Sequence, residues 1–182
     1  MNFTAQVVPL KNGGSAILRT PEKKDAAALL AYIKQAFGET EFLSRYPEEM
    51  ESFSVEREER WIESQNSTPD ALSLICCVDD RIIGNCQITR LSGKKLCHRA
   101  SIALAILQDY WGLGIGGAMF DAMLAAAKEW GVEIVELDYI EGNERALRLY
   151  EKKGFEIVGK RPNAYKLRDG HTYSEYFMQK RL

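Results

Sequence analysis

Apolar positions in this chain recur with two periods, near 3.6 and near 2, and clusters of Gly, Pro, Asn and Asp separate the two kinds of segment. Residues 1–14 end in Asn12-Gly-Gly14 and read as a loose lead-in, after which Ser15–Arg19 makes a first strand. A helix is predicted from Thr20 or Pro21 through Phe37, rich in Ala and Leu and stopped by Gly38. Glu39 to Tyr46 reads as a polar and aromatic loop, and a second helix with a charged outer face runs from Pro47 or Ser54 to Ser64. Beyond the break at Asn66–Asp70, Leu72–Val78 and Arg81–Arg90 form a hairpin turned at Asp79-Asp80. Leu91–Lys95 turns the chain again, and Cys97–Leu107 is the next strand, feeding a glycine-rich turn.

After that turn, Ile115, Met119, Ala122, Met123, Ala126 and Trp130 recur at helical spacing and should face a sheet, with the helix ending at Gly131. Val132–Ile140 is apolar except for Glu133, Glu136 and Asp138, which suits a central strand. Asn143 is a suitable N-cap and Gly154 a suitable left-handed terminator, so residues 143–153 read as a short helix. Phe155–Lys160 and Tyr173–Leu182 complete the pattern as two strands linked through Asp169-Gly170.

With 182 residues, 46% of them hydrophobic, the chain suits one domain with a substantial core. A net charge of −2 gives no general attraction to nucleic acid or to an anionic membrane surface. No apolar run approaches the roughly 20 residues that span a bilayer, and Met1–Leu10 lacks the pattern of a signal peptide, so the expected location is cytoplasmic. Cys76, Cys77, Cys86 and Cys97 contain no C-x-x-C pair, and His98 and His171 are the only histidines, so neither a metal site nor a disulfide framework is expected.

The chemistry concentrates at Gly112, Gly114, Gly116 and Gly117, where a strand ends and a helix begins. Glycine there allows unusual backbone angles and close approach of N–H groups, and the helix start adds partial positive charge, so the stretch suits a diphosphate. Gly112, Gly114 and Gly117 fit the G-x-G-x-x-G dinucleotide fingerprint, with Asp138 about 20 residues further on. Gln108–Trp111 intervene between strand and glycines, however, and the chain beyond Gly117 is too short for the further βα units of a dinucleotide fold.

The segments Tyr110-Trp-Gly-Leu-Gly-Ile-Gly116 and Asn143-Glu-Arg-Ala-Leu-Arg-Leu-Tyr150-Glu-Lys-Lys-Gly154-Phe155 together resemble the two signature motifs of the GNAT acyltransferase superfamily. Its usual loop is Gln/Arg-x-x-Gly-x-Gly/Ala; Gly114 and Gly116 match it, and Trp111 stands where Gln or Arg is common. The resemblance implies an α/β (α+β) fold over residues 15–182, with a mixed, mostly antiparallel sheet of about six to seven strands and about four helices. It implies acetyl-CoA as co-substrate, held by Leu104, Ala105, Ile106, Gly112, Leu113, Gly114, Ile115, Gly116, Gly117, Asn143 and Tyr150. Tyr150 would be the general acid beside the sulfur, Asn143 would bond the pantetheine arm, and a main-chain N–H of residues 104–106 would meet the carbonyl oxygen.

Many relatives place an acid at the position of Ser101, which leaves Glu39, Asp138, Glu141 and Glu175 as alternatives for the base. The acceptor is expected against Glu39, Thr40, Phe42 and Ser101, in the loop Gly38–Tyr46 and the last hairpin, and would be a small-molecule or peptide amine. The reading implied is an N-acetyltransferase acting by direct attack in a ternary complex. A CoA-binding module without activity and, less favoured, an NAD(P)-binding oxidoreductase are the alternatives, and the resemblance leaves a homodimer open.

Overall fold

The computed structural model describes residues 3–182; Met1 and Asn2, the first residues of the expected lead-in, lie outside the described residues. In chain order the strands are β1 (Gln6–Pro9), β2 (Ser15–Arg19), β3 (Ala71–Val78), β4 (Arg81–Arg90), β5 (Arg99–Ile106), β6 (Ile134–Ile140), β7 (Glu156–Lys166) and β8 (Thr172–Arg181). The helices are α1 (Ala26–Glu39), α2 (Val55–Ser67), α3 (Ile115–Glu129) and α4 (Glu144–Lys152), with short 3-10 turns before α1, α2 and α3. One sheet holds all eight strands in the order β1-β2-β3-β4-β5-β6-β8-β7. Only the β5–β6 pair in it is parallel.

The lead-in is therefore corrected over Gln6–Pro9, which pairs antiparallel with β2 from Gln6↔Leu18 to Pro9↔Ser15. Val8 and Leu10 are buried, and Asn12-Gly-Gly14 is the turn of that hairpin. Four residues with a single inward side chain carry too little pattern to be seen alone; the pairing to β2 makes the strand. The same strand brings the count to eight. The final hairpin is also longer than expected, because β7 continues through an irregular register as far as Lys166.

Helices α1 and α2 cover one face of the sheet, where Leu29, Tyr32 and Ile62 pack on Ile75, Cys77, Ile82 and Leu107. Helices α3 and α4 cover the other, where Met119, Phe120, Met123 and Tyr150 pack on Val135, Leu137, Tyr139 and Met178. Arg19 holds the Asp25 carboxylate before α1 through two bonds of 2.6 and 2.9 Å, and this pairing lowers the Asp25 pKa. Gly38 does not stop α1, which runs one residue further to Glu39.

The sheet opens at one place. β5 pairs β6 only at Arg99↔Ile134, Ala100↔Val135 and Ser101↔Glu136, while its other edge stays paired to β4 as far as Ile106. Residues 102–106 thus have no neighbouring strand on the β6 side, and their main chain faces a cleft. Tyr32 fixes this half of β5 from behind: its buried hydroxyl lies 2.8 Å from the Ala105 carbonyl and 3.0 Å from Asn85 Oδ1, and accepts the Asn85 N–H at 3.2 Å. Tyr32→Phe leaves these groups without their partner, and is expected to lower stability by about 1–3 kcal/mol in urea unfolding. A change of only a few tenths would show that β5 does not depend on this bond.

Candidate active site

The turn after β5 is built by two left-handed glycines. Gly112 has φ 78° and Gly114 φ 100°, values that residues with a Cβ rarely adopt, and a Cβ at either would meet open space. The constraint on both is backbone angle, not crowding. Gly114 is also the N-cap of α3 and has no side chain to cap it, so the first amides of the helix are left without intrahelical partners. They face the cleft with the positive end of the helix behind them. Gly116 answers a different need, since a Cβ there would come within 2.9 Å of Leu149 Cδ2 and push α4 away.

Trp111 supports this loop in two ways. Its indole N–H donates to the Ile106 carbonyl at 2.6 Å, and its ring lies 4.3 Å beneath the Arg145 guanidinium. A Trp in place of the usual Gln or Arg therefore couples the loop to both β5 and α4. Lys11, from the β1–β2 turn, donates its main-chain N–H to the Leu113 carbonyl at 3.2 Å and closes the loop from outside.

On α4, Asn143 accepts the Ala146 N–H at 3.2 Å and caps the helix while still lining the cleft. Tyr150 is buried among rings, edge-on to Phe120 at 5.6 Å and to Tyr139 at 6.2 Å. Burial, and then the nearby Asp138 carboxylate, push the Tyr150 phenol well above its ordinary pKa, so it stays protonated near neutral pH.

These parts enclose a groove of about 560 Å³. Ten of the residues expected to hold the cofactor line it: Leu104, Ala105, Ile106, Gly112, Gly114, Ile115, Gly116, Gly117, Asn143 and Tyr150. Leu113 is the exception, because its side chain packs partly buried against the core. Of the expected acceptor residues, Glu39, Thr40 and Phe42 line the groove, and Phe42 reaches to within 3.5 Å of where a Gly142 Cβ would stand. Ser101 lies outside the lining; it occupies the last rung before β5 and β6 separate, between Thr89 and Glu136.

The carboxylates divide by environment. Glu39 is occupied structurally, accepting the Gln108 N–H at 2.7 Å and the Gln35 amide at 2.7 Å. Glu141, outside the groove lining, accepts the Ser174 N–H at 3.1 Å and pairs with Lys160 at 3.0 Å; these bonds hold its pKa down to about 2. Glu175 is buried and bound by Arg161 at 2.7 Å and Tyr165 at 3.0 Å. Asp138 sits diagonally from Glu175 on the adjacent strand, on the same face of the sheet, and is likewise not among the lining residues. Partial desolvation, and then the Glu175 charge, raise its pKa above the ordinary carboxylate value. The pattern of residues 132–140 marked Asp138 as one polar position among apolar ones but could not show what lay across from it.

Sequence reading missed Lys11, Tyr32 and the basic side of α4. Lys11 and Tyr32 reach the site through long-range pairing, which leaves no local signal. The helix cations had one, a spacing of three and four residues from Arg145 to Arg148 to Lys152.

Residues 33–155 match the family model described as Acetyltransferase (GNAT) family, and this chain belongs to that family. Over 119 residues it is 27% identical to the L-amino acid N-acetyltransferase AaaT of Escherichia coli, covering 65% of this chain and 73% of that protein. The crystal structure of a GNAT-family acetyltransferase from Streptococcus pneumoniae superposes with a TM-score of 0.86 at 26% identity, over 92% of this chain and 99% of that one. A Salmonella typhimurium protein solved with its cofactor acetyl-CoA shares the fold with a TM-score of 0.77 at 17% identity, over 92% and 94% of the two chains. Among the described residues, no helix is long and apolar enough to cross a membrane, and no group of three or more His, Cys, Asp and Glu could hold a metal ion.

Proposed function

We propose that this protein transfers the acetyl group of acetyl-CoA to a primary amine, by direct attack within a ternary complex. The observation that carries the reading is the cleft itself, where the free edge of β5, the uncapped start of α3 and the Tyr150 side chain meet in one groove. Its residues fit the group: left-handed glycines with open space above them suit a diphosphate, and an unpaired strand edge suits the amide-bearing arm. Bound there, acetyl-CoA supplies a thioester carbonyl and a thiolate leaving group.

The chain's residues then have separable tasks. A main-chain N–H between Leu104 and Ile106 meets the carbonyl oxygen as charge develops on it. The Tyr150 hydroxyl, protonated at neutral pH, donates to the departing sulfur; a thiolate whose thiol has a pKa of about 8.5 is a weaker base than the phenolate left behind, so the proton moves only in concert with breaking of the carbon–sulfur bond. The attacking amine must first lose a proton, because with a pKa near 10.4 only about one molecule in a thousand is the free base at pH 7. We assign that proton to Asp138, directly or through water: Glu141 and Glu175 are already bonded to cations, and Glu39 is fixed by Gln108 and Gln35. The raised pKa of Asp138 improves it as a base.

No acyl-cysteine is needed. Burial pushes Cys76 up to about 12 and Cys86 higher still, so neither supplies a thiolate.

Two measurements test this. A thiol-release assay with acetyl-CoA against amino acids, peptides, polyamines and aminoglycosides should give amine-dependent CoA formation with at least one class; release with none removes the transferase reading. In the active pair, the rate should climb with pH through the raised Asp138 pKa, because only the carboxylate accepts a proton. Asp138→Asn should remove that acidic limb and lower turnover about 10²-fold, at the low end for a general base because a carboxylate is weak against an ammonium ion. An unchanged profile would return the role to water alone.

A further inference from the structure

A second cavity, of about 570 Å³, adjoins the cofactor groove. Thr40, Phe42, Leu43 and Trp111 line both, so the two are continuous. One wall of the second cavity is the end of α1 with the loop that follows it, residues 37–47; the other is Tyr165 and Lys166 of β7 with Leu167 beyond them. Five rings line it: Phe37, Phe42, Tyr46, Trp111 and Tyr165. Its charged lining residues balance, Glu39 and Glu41 against Arg45 and Lys166, and give no net attraction to a charged body. Tyr165 leads on toward the proposed base: its hydroxyl donates to Glu175 at 3.0 Å, and Glu175 lies diagonal to Asp138 across β6 and β8.

The two walls are strapped together at their outer ends. Arg168, just past β7, holds its guanidinium 3.9 Å over the Tyr46 ring, pairs with Glu48, and donates its main-chain N–H to the Tyr46 hydroxyl at 3.2 Å. Neither wall hangs loose behind the strap. The Tyr46 N–H donates to Glu49 Oε1 at 2.7 Å, Met50 next to it is buried, and the Leu167 N–H closes the hairpin tip on the His171 carbonyl at 2.8 Å. A polypeptide leaving the site between these walls would have to part the strap. A small molecule can lie wholly inside, because a cavity of this size is in the range that takes one.

We infer that the acceptor is a small monoamine with an aromatic body, which lies in this cavity with its amino group toward the groove, and that the Arg168 strap keeps polypeptide N-termini out. The inference rests on the transferase reading above and narrows its acceptor. Rings lining a cavity gain from a further ring by edge-to-face or offset stacking, in addition to the apolar area buried. A second ammonium on the acceptor has no such gain. Two of the rings already carry a guanidinium, Arg168 on Tyr46 and Arg145 on Trp111, so another cation meets like charge there.

Thiol release from acetyl-CoA by the full chain tests it, with 2-phenylethylamine, putrescine and a hexapeptide bearing a free N-terminus as acceptors. The native protein should use 2-phenylethylamine with a kcat/KM about tenfold or more above that of either other acceptor, the discrimination expected from one buried ring. Phe37→Ala trims the cavity away from the cofactor groove, and should raise KM for 2-phenylethylamine about tenfold with kcat and CoA affinity nearly unchanged. Arg168→Ala should raise kcat/KM for the hexapeptide about tenfold and move that for 2-phenylethylamine less than about threefold, since an exposed cation–ring contact and an exposed ion pair are weak. A melting curve checks that both variants fold. A native preference for putrescine or the hexapeptide, equal use of all three, or an unchanged KM in Phe37→Ala would each overturn the acceptor assignment, and a hexapeptide rate unmoved in Arg168→Ala would overturn the strap. Release with none of the three while some other amine is acetylated would overturn the inference alone; release with no amine at all would strike the transferase reading, and this inference with it.

Discussion

In Gly114→Val, binding of acetyl-CoA falls below detection and turnover is lost. The residue holds φ 100°, a region that a β-branched side chain resists at a cost of about 1–3 kcal/mol, and two methyl groups would stand where the ligand's diphosphate must approach. The loop relieves the strain by moving, which takes the α3 amides out of line. Gly131→Val separates the two effects: Gly131 has φ 68° with open space around it, at the far end of α3. It should cost similar stability and leave cofactor affinity within about twofold. Retained affinity in Gly114→Val would show that the loop does not carry the diphosphate.

Tyr150→Phe has the next largest effect, a fall in turnover of about 10²–10⁴-fold with cofactor affinity changed only a few-fold. Loss of one hydroxyl removes the proposed proton donor but keeps the ring that packs on Phe120, Tyr139 and Phe155. The fold should therefore survive, and the defect should shrink for an acyl donor whose leaving thiol is more acidic, because such a sulfur departs without a proton. A defect that is equal for both donors would assign Tyr150 to packing only.

The parts of this site that were legible in the sequence are those fixed by local rules. A left-handed turn demands glycine, an α-helix start favours Asn143, and two helical turns put Asn143 and Tyr150 on one side. These rules place Gly112–Gly117 and α4 without any knowledge of the sheet. Whatever depends on which strand lies beside which was not legible. Ser101 reads as a strand residue near a loop, and only its pairing to both Thr89 and Glu136 shows that it belongs to the closed part of the sheet. Glu141 reads as a free acid at a strand end until Ser174, Lys160 and Tyr176, all from the last hairpin, are seen around it.

The same limit explains the N-terminal strand. Val7 is exposed and Val8 buried, a pattern two residues long, and its meaning comes from β2 alongside. Once paired, the hairpin delivers Lys11 to the glycine loop, a contact between positions about one hundred residues apart in sequence that no motif could announce. Helix α4 is the opposite case. Its apolar face and its cations are both written in residues 143–153, and the motif that holds Asn143 and Tyr150 also holds the basic row.

The most direct test is a crystal structure of the protein grown with CoA. The diphosphate oxygens should lie within about 3.2 Å of main-chain nitrogens in the stretch from Gly112 to Gly117, with the sulfur at the Tyr150 hydroxyl in the gap between β5 and β6. A diphosphate bound elsewhere, or a ligand lying with its nucleotide toward Tyr150, would contradict the account.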